Sequence, residues 1–442
     1  MIANTKTDLV INHINILSMV DANISMNKAI FISEGRITRI DDALNNSCDY
    51  PDMIDGKGQY IMPGLVNMHT HLGDNRGDLL LYLVNGVTTI RNMWGYEGFR
   101  LRHWLFGTRV FHHLQLRKQI EEGRVVGPSI YTAGPLLDGD PPFFPRFMYL
   151  HAVKEKRQIE RIIREQVNKG YDFIKLYSTL SRPSFDDIIE VAQKCNIPVA
   201  GHVPDSVHIQ HVLESKVQSI EHLYGFINPY RPERNIRRQD IKKLAALAAA
   251  NDVWNCPTLI AHERLANTER QREFESEDHL KYISAKNKQA MRFLMKASNK
   301  LFTQKGLKGN HYYMEDFFYI IQQLRSEGAG ILLGTDKSVP YVVAGFSEHA
   351  EMKLLNHAGL SNFEVLQSAT INGARCLKKD NIFGTIKEGK RADLMITHDN
   401  PLHNLNTVLN HAGVIKSGVY YSKEKCDAIL KRLMNNPSTT AI

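Results

Sequence analysis

Eight short apolar runs lie between Gly64 and Asp336, and helix-type stretches separate most of them. The runs are Gly64–His69, Val87–Asn92, Ser129–Ala133, Phe173–Tyr177, Pro198–His202, Gln218–His222, Val253–Thr258 and Gly330–Asp336. Helical patterns such as Glu155–Lys169, Ser184–Cys195 and Gln239–Ala250 fall between them. Strands that alternate with helices pair in parallel. Eight such units predict an α/β protein with a (β/α)8 TIM-like barrel, in which functional groups sit at the C-terminal ends of the strands. A doubly wound open sheet is the runner-up, but no glycine-rich dinucleotide fingerprint opens its first strand-to-helix turn.

The strand ends carry the chemistry. The first run closes as MPGLVNMHTH, residues 62–71, and in a strand residues two apart share a face, so His69 and His71 can converge on one metal ion. A lone His-x-His is weak, since polar residues often end strands. Lys175, His202, His222 and Asp336 end four further runs, which makes accident a poor account. Neutral imidazoles and a carboxylate suit a divalent ion such as zinc, and a catalytic ion keeps a position open for water. His69, His71, His202, His222 and Asp336 exceed what one tetrahedral ion needs. The surplus predicts either two metals or one metal with a proton-handling pair. Lys175 has two readings: a carbamate formed with carbon dioxide and bridging two ions, or a lysine paired with a nearby carboxylate. With two ions, a bridging hydroxide attacks a polarised carbonyl and Asp336 passes the proton to the leaving group. No serine elbow or phosphate loop competes with this chemistry.

Composition narrows the class. In 442 residues, 43% hydrophobic and 23% charged content is ordinary for a globular protein with one large and one small domain. A net charge of +8 is diluted over that length, so nucleic acid is not an expected partner; basic runs at Arg100–Lys118 and Arg231–Lys243 read as solvated helix faces. Cys48, Cys195, Cys256, Cys376 and Cys426 show no paired spacing, which fits a reducing compartment and a cytoplasmic location. No apolar stretch reaches ~18 residues, so no membrane span is expected.

Both ends of the chain read as short strands: Asp8–Asn12, Asn15–Met19, Lys28–Ser33 and Arg36–Asp41 first, then 384–397, 407–409 and 413–421. The expected division is a composite β-sandwich from 1–62 and 384–423, a barrel over 63–383 and a C-terminal tail over 424–442. A charged helical insertion at about 262–315 interrupts the barrel; it reads as a solvated helical pair, a lid or an oligomer contact.

The chain resembles the amidohydrolase superfamily, and within it the metal-dependent prolidase-like and Xaa-Arg/Lys dipeptidase branch related to imidazolonepropionase. The resemblance spans about Asp8 to Tyr421. It rests on MPGLVNMHTH with NGVTTIR (85–91), FIKLY (173–177), VAGHVP (199–204), SIEHL (219–223), GTD (334–336), GFSEHAE (345–351), ATINGAR (369–375) and GKRADL (389–394). It implies that His69, His71 and Asp336 hold one of two divalent ions, expected to be zinc, and that His202 and His222 hold the other. Lys175 would be carboxylated and bridge them, and Asp336 would shuttle the proton. Tyr224 would contact the substrate; His349 and Glu351 would support the site. The implied reaction is cleavage of an amide in a dipeptide or N-acyl amino acid, the alternative being a mononuclear enzyme that opens a cyclic amide or deaminates a heterocycle. A homo-oligomer is compatible with this. Two departures, the short loop after His71 and Arg91-Asn92 where Arg-Asp is commoner, lie near the mouth and leave substrate preference open.

Overall fold

The structure, a computed structural model, describes residues 8–45, 50, 52–73, 76–96, 112–143, 150–228, 232–304 and 311–437. The first strands are β1 (Leu9–Leu17), β2 (Ile24–Ser33), β3 (Arg36–Asp42), β4 (Met53–Asp55) and β5 (Tyr60–Pro63). The middle holds β6 (Leu65–Thr70), β7 (Val87–Asn92), β8 (Ser129–Thr132), β9 (Leu136–Asp138), β10 (Leu150–Ala152), β11 (Ile174–Leu176), β12 (Val199–Gly201), β13 (Ser219–Glu221) and β14 (Trp254–Cys256). The last are β15 (Leu394–Thr397), β16 (His411–Lys416) and β17 (Val419–Ser422).

The two chain ends share one sheet, in the order β17-β16-β15-β5-β1-β2-β3, with β4 also paired to β1. The seam is antiparallel, Ile61 opposite Ile396 and Met62 opposite Met395. Side chains alternate faces along a strand. Ile61, Leu394, Ile396 and Ile415 therefore fall into the sheet's own core, whereas Met62, Met395 and Val414 join the central core. The two pieces read at Asp8–Asn12 and Asn15–Met19 are one strand, β1, with a register shift between Ile11 and Ile14 where His13 turns to φ 51°.

In the middle, β6, β7 and β8 pair in parallel, as do β10-β9-β11-β12-β13-β14. A parallel bridge between Ala133 and Phe173 links the two sheets. At the other edge the Gly330–Asp336 segment forms no laddered strand; it makes one bridge, Asn255 to Ile331. Its backbone still bonds both ways, Leu332 N to Asn255 O at 2.9 Å and Met68 N to Leu333 O at 2.8 Å. Helix Lys156–Lys169 shows why the intervening segments coil as they do: Ile159, Ile162, Ile163 and Gln166 recur at helical spacing and are buried, and Gly170 ends it at φ 85°.

Several expectations shift. β9 and β10 are additional strands between the third and fourth runs. The tail at 424–442 begins as a helix, Lys423–Asn435, with Cys426, Ile429 and Leu433 buried. The insertion contains helices Leu259–Ala266, Gln271–Glu275, Ala285–Gln304 and His311–Ser326. Residues 100–111 of the first basic run, Cys48, two residues of the loop after His71 and 305–310 of the insertion lie outside the described residues. No described helix is long and apolar enough to cross a membrane.

Candidate metal centre

His69 lies inside β6 and is fully buried, while His71, just past the strand, keeps 19% of its side chain exposed. Lys175 is the middle residue of β11; His202 and His222 directly follow β12 and β13. The N–H groups of Thr335 and Asp336 both donate to His69 O, at 3.0 and 2.8 Å, which brings Asp336 beside β6. His222 and Asp336 leave the strand conformation, at φ 61° and 50°, and this turns both side chains inward.

These elements gather the residues singled out from sequence. Asp336 Oδ1 lies 3.3 Å from His71 Nε2 and 3.9 Å from His69 Nε2, and Oδ2 lies 3.9 Å from His222 Nε2. Ring centroids of His69 and His222 are 4.5 Å apart, and those of His202 and His222 are 5.0 Å apart. Lys175 acts electrostatically on His69, His202 and His222 alike. Tyr224 stands over the centre, 5.0 Å from the rings of both His202 and His222. His349 and Glu351 lie elsewhere: His349 Nε2 is 3.1 Å from Asn85 O, and Glu351 accepts from Leu259 N and Ile260 N at 2.9 and 2.7 Å.

Burial drives the electrostatics. It lowers His69 to about 4 and holds His202 and His222 well below the usual histidine range, with the Lys175 charge adding to each, so the imidazoles are neutral. Burial also brings Lys175 down to about 8. Burial would raise Asp336, but the hydrogen bond and charge of His71, with His69 and His222, hold it well below the carboxylate range.

A second layer of side chains orients the first. Glu221 Oε2 is 2.6 Å from His69 Nδ1, and Arg91 donates to its Oε1 at 2.7 Å. Burial would raise Glu221; Arg91 and His69 hold it below the carboxylate range. As an anion Glu221 only accepts, so His69 carries its proton on Nδ1 and presents a lone pair at Nε2. Ser178 Oγ lies 2.8 Å from His202 Nδ1 and Thr258 Oγ1 2.7 Å from His222 Nδ1. Sequence reading passed over Glu221, Ser178 and Thr258, and also His262, whose ring is 6.0 Å from His222. Position was the signal for three of them: Glu221 ends β13, and Ser178 and Thr258 follow β11 and β14 by two residues; His262, inside helix Leu259–Ala266, had no such signal.

The donors fit a metal. His69 Nε2 and Lys175 Nζ are buried without a hydrogen-bond partner, which is costly unless something binds there. His69, His71 and Asp336 offer ligand atoms within 4.8 Å of one another. A second cluster, His69, Glu221 and Cys256, does not fit: Glu221 is engaged by Arg91, and burial pushes the Cys256 thiol well above its usual range. A cavity of ≈ 610 Å³ lies alongside, lined by Val203, Gly225, Arg234 and Lys243 among others, and includes none of the six residues.

Comparison with known proteins gives the family. The chain is 24% identical over 441 residues to the 5-methylthioadenosine/S-adenosylhomocysteine deaminase of Thermoanaerobacter pseudethanolicus, covering 91% of this chain and 89% of that protein. A solved bottromycin amidohydrolase superposes with a TM-score of 0.75 at 24% identity, covering 97% of this chain and 90% of the other. A Xaa-Pro dipeptidase with bound methionine gives 0.69 at 19% identity, over 94% and 99%. These likenesses put prolidase-type folds and deaminases both among the relatives. With the amidohydrolase profile matching residues 60–420, a span that holds every residue of the candidate centre, the chain belongs to the amidohydrolase family.

Proposed function

We propose that the chain is a binuclear metal-dependent hydrolase that cleaves the amide bond of a dipeptide or an N-acyl amino acid. In this reading residues 63–383 form a closed (β/α)8 barrel, and 1–62 with 384–423 form a composite β-sandwich domain. His69, His71 and Asp336 would hold one zinc ion and His202 and His222 the other, with a carboxylated Lys175 as the ligand they would share. Lys175 is the observation that carries the reading: its amine is buried without a partner, and burial brings its pKa down to about 8. The neutral fraction of such an amine adds carbon dioxide; the N–C bond forms, one proton leaves, and an anionic carbamate results.

When bound, the two ions supply Lewis acidity and an acidified water. Asp336 takes a hydrogen bond from Ser338 Oγ on Oδ1 at 2.7 Å, which leaves Oδ2 to accept the water's proton and return it to the departing nitrogen. The Tyr224 hydroxyl donates to the scissile carbonyl oxygen. Glu221, Ser178 and Thr258 hold three imidazoles in register, so little reorganisation is needed at reaction.

The test is zinc content and dipeptidase turnover of wild type and Lys175→Ala, with bicarbonate present. Close to two ions per chain and activity lost on chelation are expected, with Lys175→Ala slower by at least about 100-fold. Full activity of Lys175→Ala would remove the carbamate. The likeness to a deaminase over nearly the whole chain favours a second reading, a mononuclear enzyme acting on a cyclic amide or heterocycle in which Lys175 is incidental. One tightly held ion with ammonia release would select it.

A further inference from the structure

Two lines of aromatic rings run outward from the candidate ligands. Tyr177, directly after β11, lies 4.2 Å from the His202 ring, and Phe143 lies 5.7 Å beyond Tyr177. Trp94, two residues past β7, lies 6.1 Å from the His71 ring, and Tyr96 lies 6.3 Å beyond Trp94. The lines meet on a common floor. Trp94, Leu136 and Leu150 form one buried cluster, and Tyr96 and Tyr177 pack against it. The strands β9 and β10 thus bring apolar bulk to the side of the centre.

Asp138 shapes the rim. Its Oδ2 accepts from Phe143 N at 2.7 Å, and its Oδ1 accepts from Thr179 N at 2.8 Å and Thr179 Oγ1 at 2.9 Å. One carboxylate therefore ties the loop bearing Phe143 to the segment that follows Tyr177. Phe143 is 56% exposed, so the apolar surface continues from solvent to the ring of His202. Among the described residues, Lys337 is engaged with Asp78 and Arg91 with Glu221.

We propose that this wall selects the substrate, and that the group beside the scissile amide is an aromatic or bulky aliphatic side chain packed on Trp94, Tyr177 and Phe143. The inference rests on the amide-hydrolase reading. A ring placed there makes tilted or edge contacts with Tyr177 and Trp94. A charged side chain would shed its hydration against rings that offer it no counter-charge of their own. Because the wall begins on the rings of His71 and His202, a group held by it lies next to the reacting bond.

The experiment uses the zinc-loaded full-length protein and compares kcat/KM for N-acetyl-L-phenylalanine and N-acetyl-L-leucine with that for N-acetyl-L-aspartate and N-acetyl-L-lysine. A preference for the apolar pair of at least about 10-fold is expected. Tyr177→Ala and Phe143→Ala should narrow that ratio, and Tyr177→Phe should keep it; the exposed Phe143 ring makes its variant safe for folding. A purely structural role for Tyr177 would lower all four substrates together and leave the ratio unchanged, which overturns the proposal. Calorimetric binding of L-phenylalanine and L-aspartate separates this from the parent reading. Turnover of no amide would remove the hydrolase assignment, while tighter binding of L-phenylalanine, weakened in Tyr177→Ala, would still support the wall. Equal binding of the two amino acids, or binding of neither, overturns it.

Discussion

Glu221 answers to three partners at once, the Nδ1–H of His69, the guanidinium of Arg91 and the Ser219 hydroxyl, and all four are fully buried. A Glu221→Gln side chain still accepts from one of them, but its amide N–H then faces His69 and moves the imidazole proton toward Nε2, the atom that meets the centre. It also leaves the buried Arg91 charge uncompensated. We expect zinc affinity to fall by about 10–100-fold and the metal-free protein to lose about 3 kcal/mol. Competition with a chelator and denaturant unfolding measure the two effects, and unchanged zinc affinity would refute the orienting role. Glu221 was hard to foresee for a physical reason. It adjoins His222, and strand alternation sends neighbours to opposite faces. His222 escapes that rule at φ 61°, so both residues reach His69. His69, His71 and His202 needed no such exception to be noticed, because a polar group at or near the end of an apolar run stands out in any reading of the sequence, and Lys175 stands out as a charge inside one. Arg91 and Glu221 are 130 residues apart, and no local pattern pairs them.

At the level of elements, seven of the eight central runs appear as strands within a residue or two of the expected bounds, because runs of five or six residues between turn signals are too short for helices. β9 and β10 are three residues each, too short for a period to show. The Gly330–Asp336 run contains two glycines and forms only a bridge, a case where hydrophobicity outruns ladder formation. Helix packing around the centre depends on contacts that carry no motif, and Glu351 is the clearest. It lies on helix Phe346–His357 and accepts from the first N–H groups of helix Leu259–Ala266, joining the elements that follow the last two runs. Burial raises its pKa from 4.5 to about 8. The folded state therefore binds this proton more tightly than the unfolded chain between those values. The stability so gained is fully present below pH 4.5 and is lost as pH rises through about 8. Glu351→Gln keeps an acceptor and cannot ionise. Relative to wild type, its denaturation midpoint should climb between about pH 5 and 8; a difference that stays flat with pH would show that Glu351 does not titrate there.

For the molecule as a whole, the ends of the chain close on its middle. β5 leads straight into β6, the strand bearing His69, and pairs with β15 from the other end, so the shared sheet fixes the entry to the centre. The final helix extends this closure. Ser422 caps it, its Oγ accepting from Lys425 N at 3.3 Å, and it buries Cys426, Ile429 and Leu433. Its end sits on the start of helix Gly77–Val84, where a Cβ on Gly77 would collide with Pro437 O and lie 3.1 Å from Leu433 Cδ2. Gly77 is thus small because the terminal segment needs the space. Truncation after Ser422 removes those apolar side chains and bares the surface they cover, a loss of about 1.5–3 kcal/mol each, on the order of 5 kcal/mol in all. The helix carries none of the six residues of the centre. The truncated protein should melt at a markedly lower temperature yet retain its zinc stoichiometry at a temperature where it remains folded. Thermal unfolding with metal analysis on the same preparation separates the two effects: an unchanged melting temperature would mean that the docked helix contributes nothing to the closure, and loss of metal from the folded protein would mean that the centre depends on it.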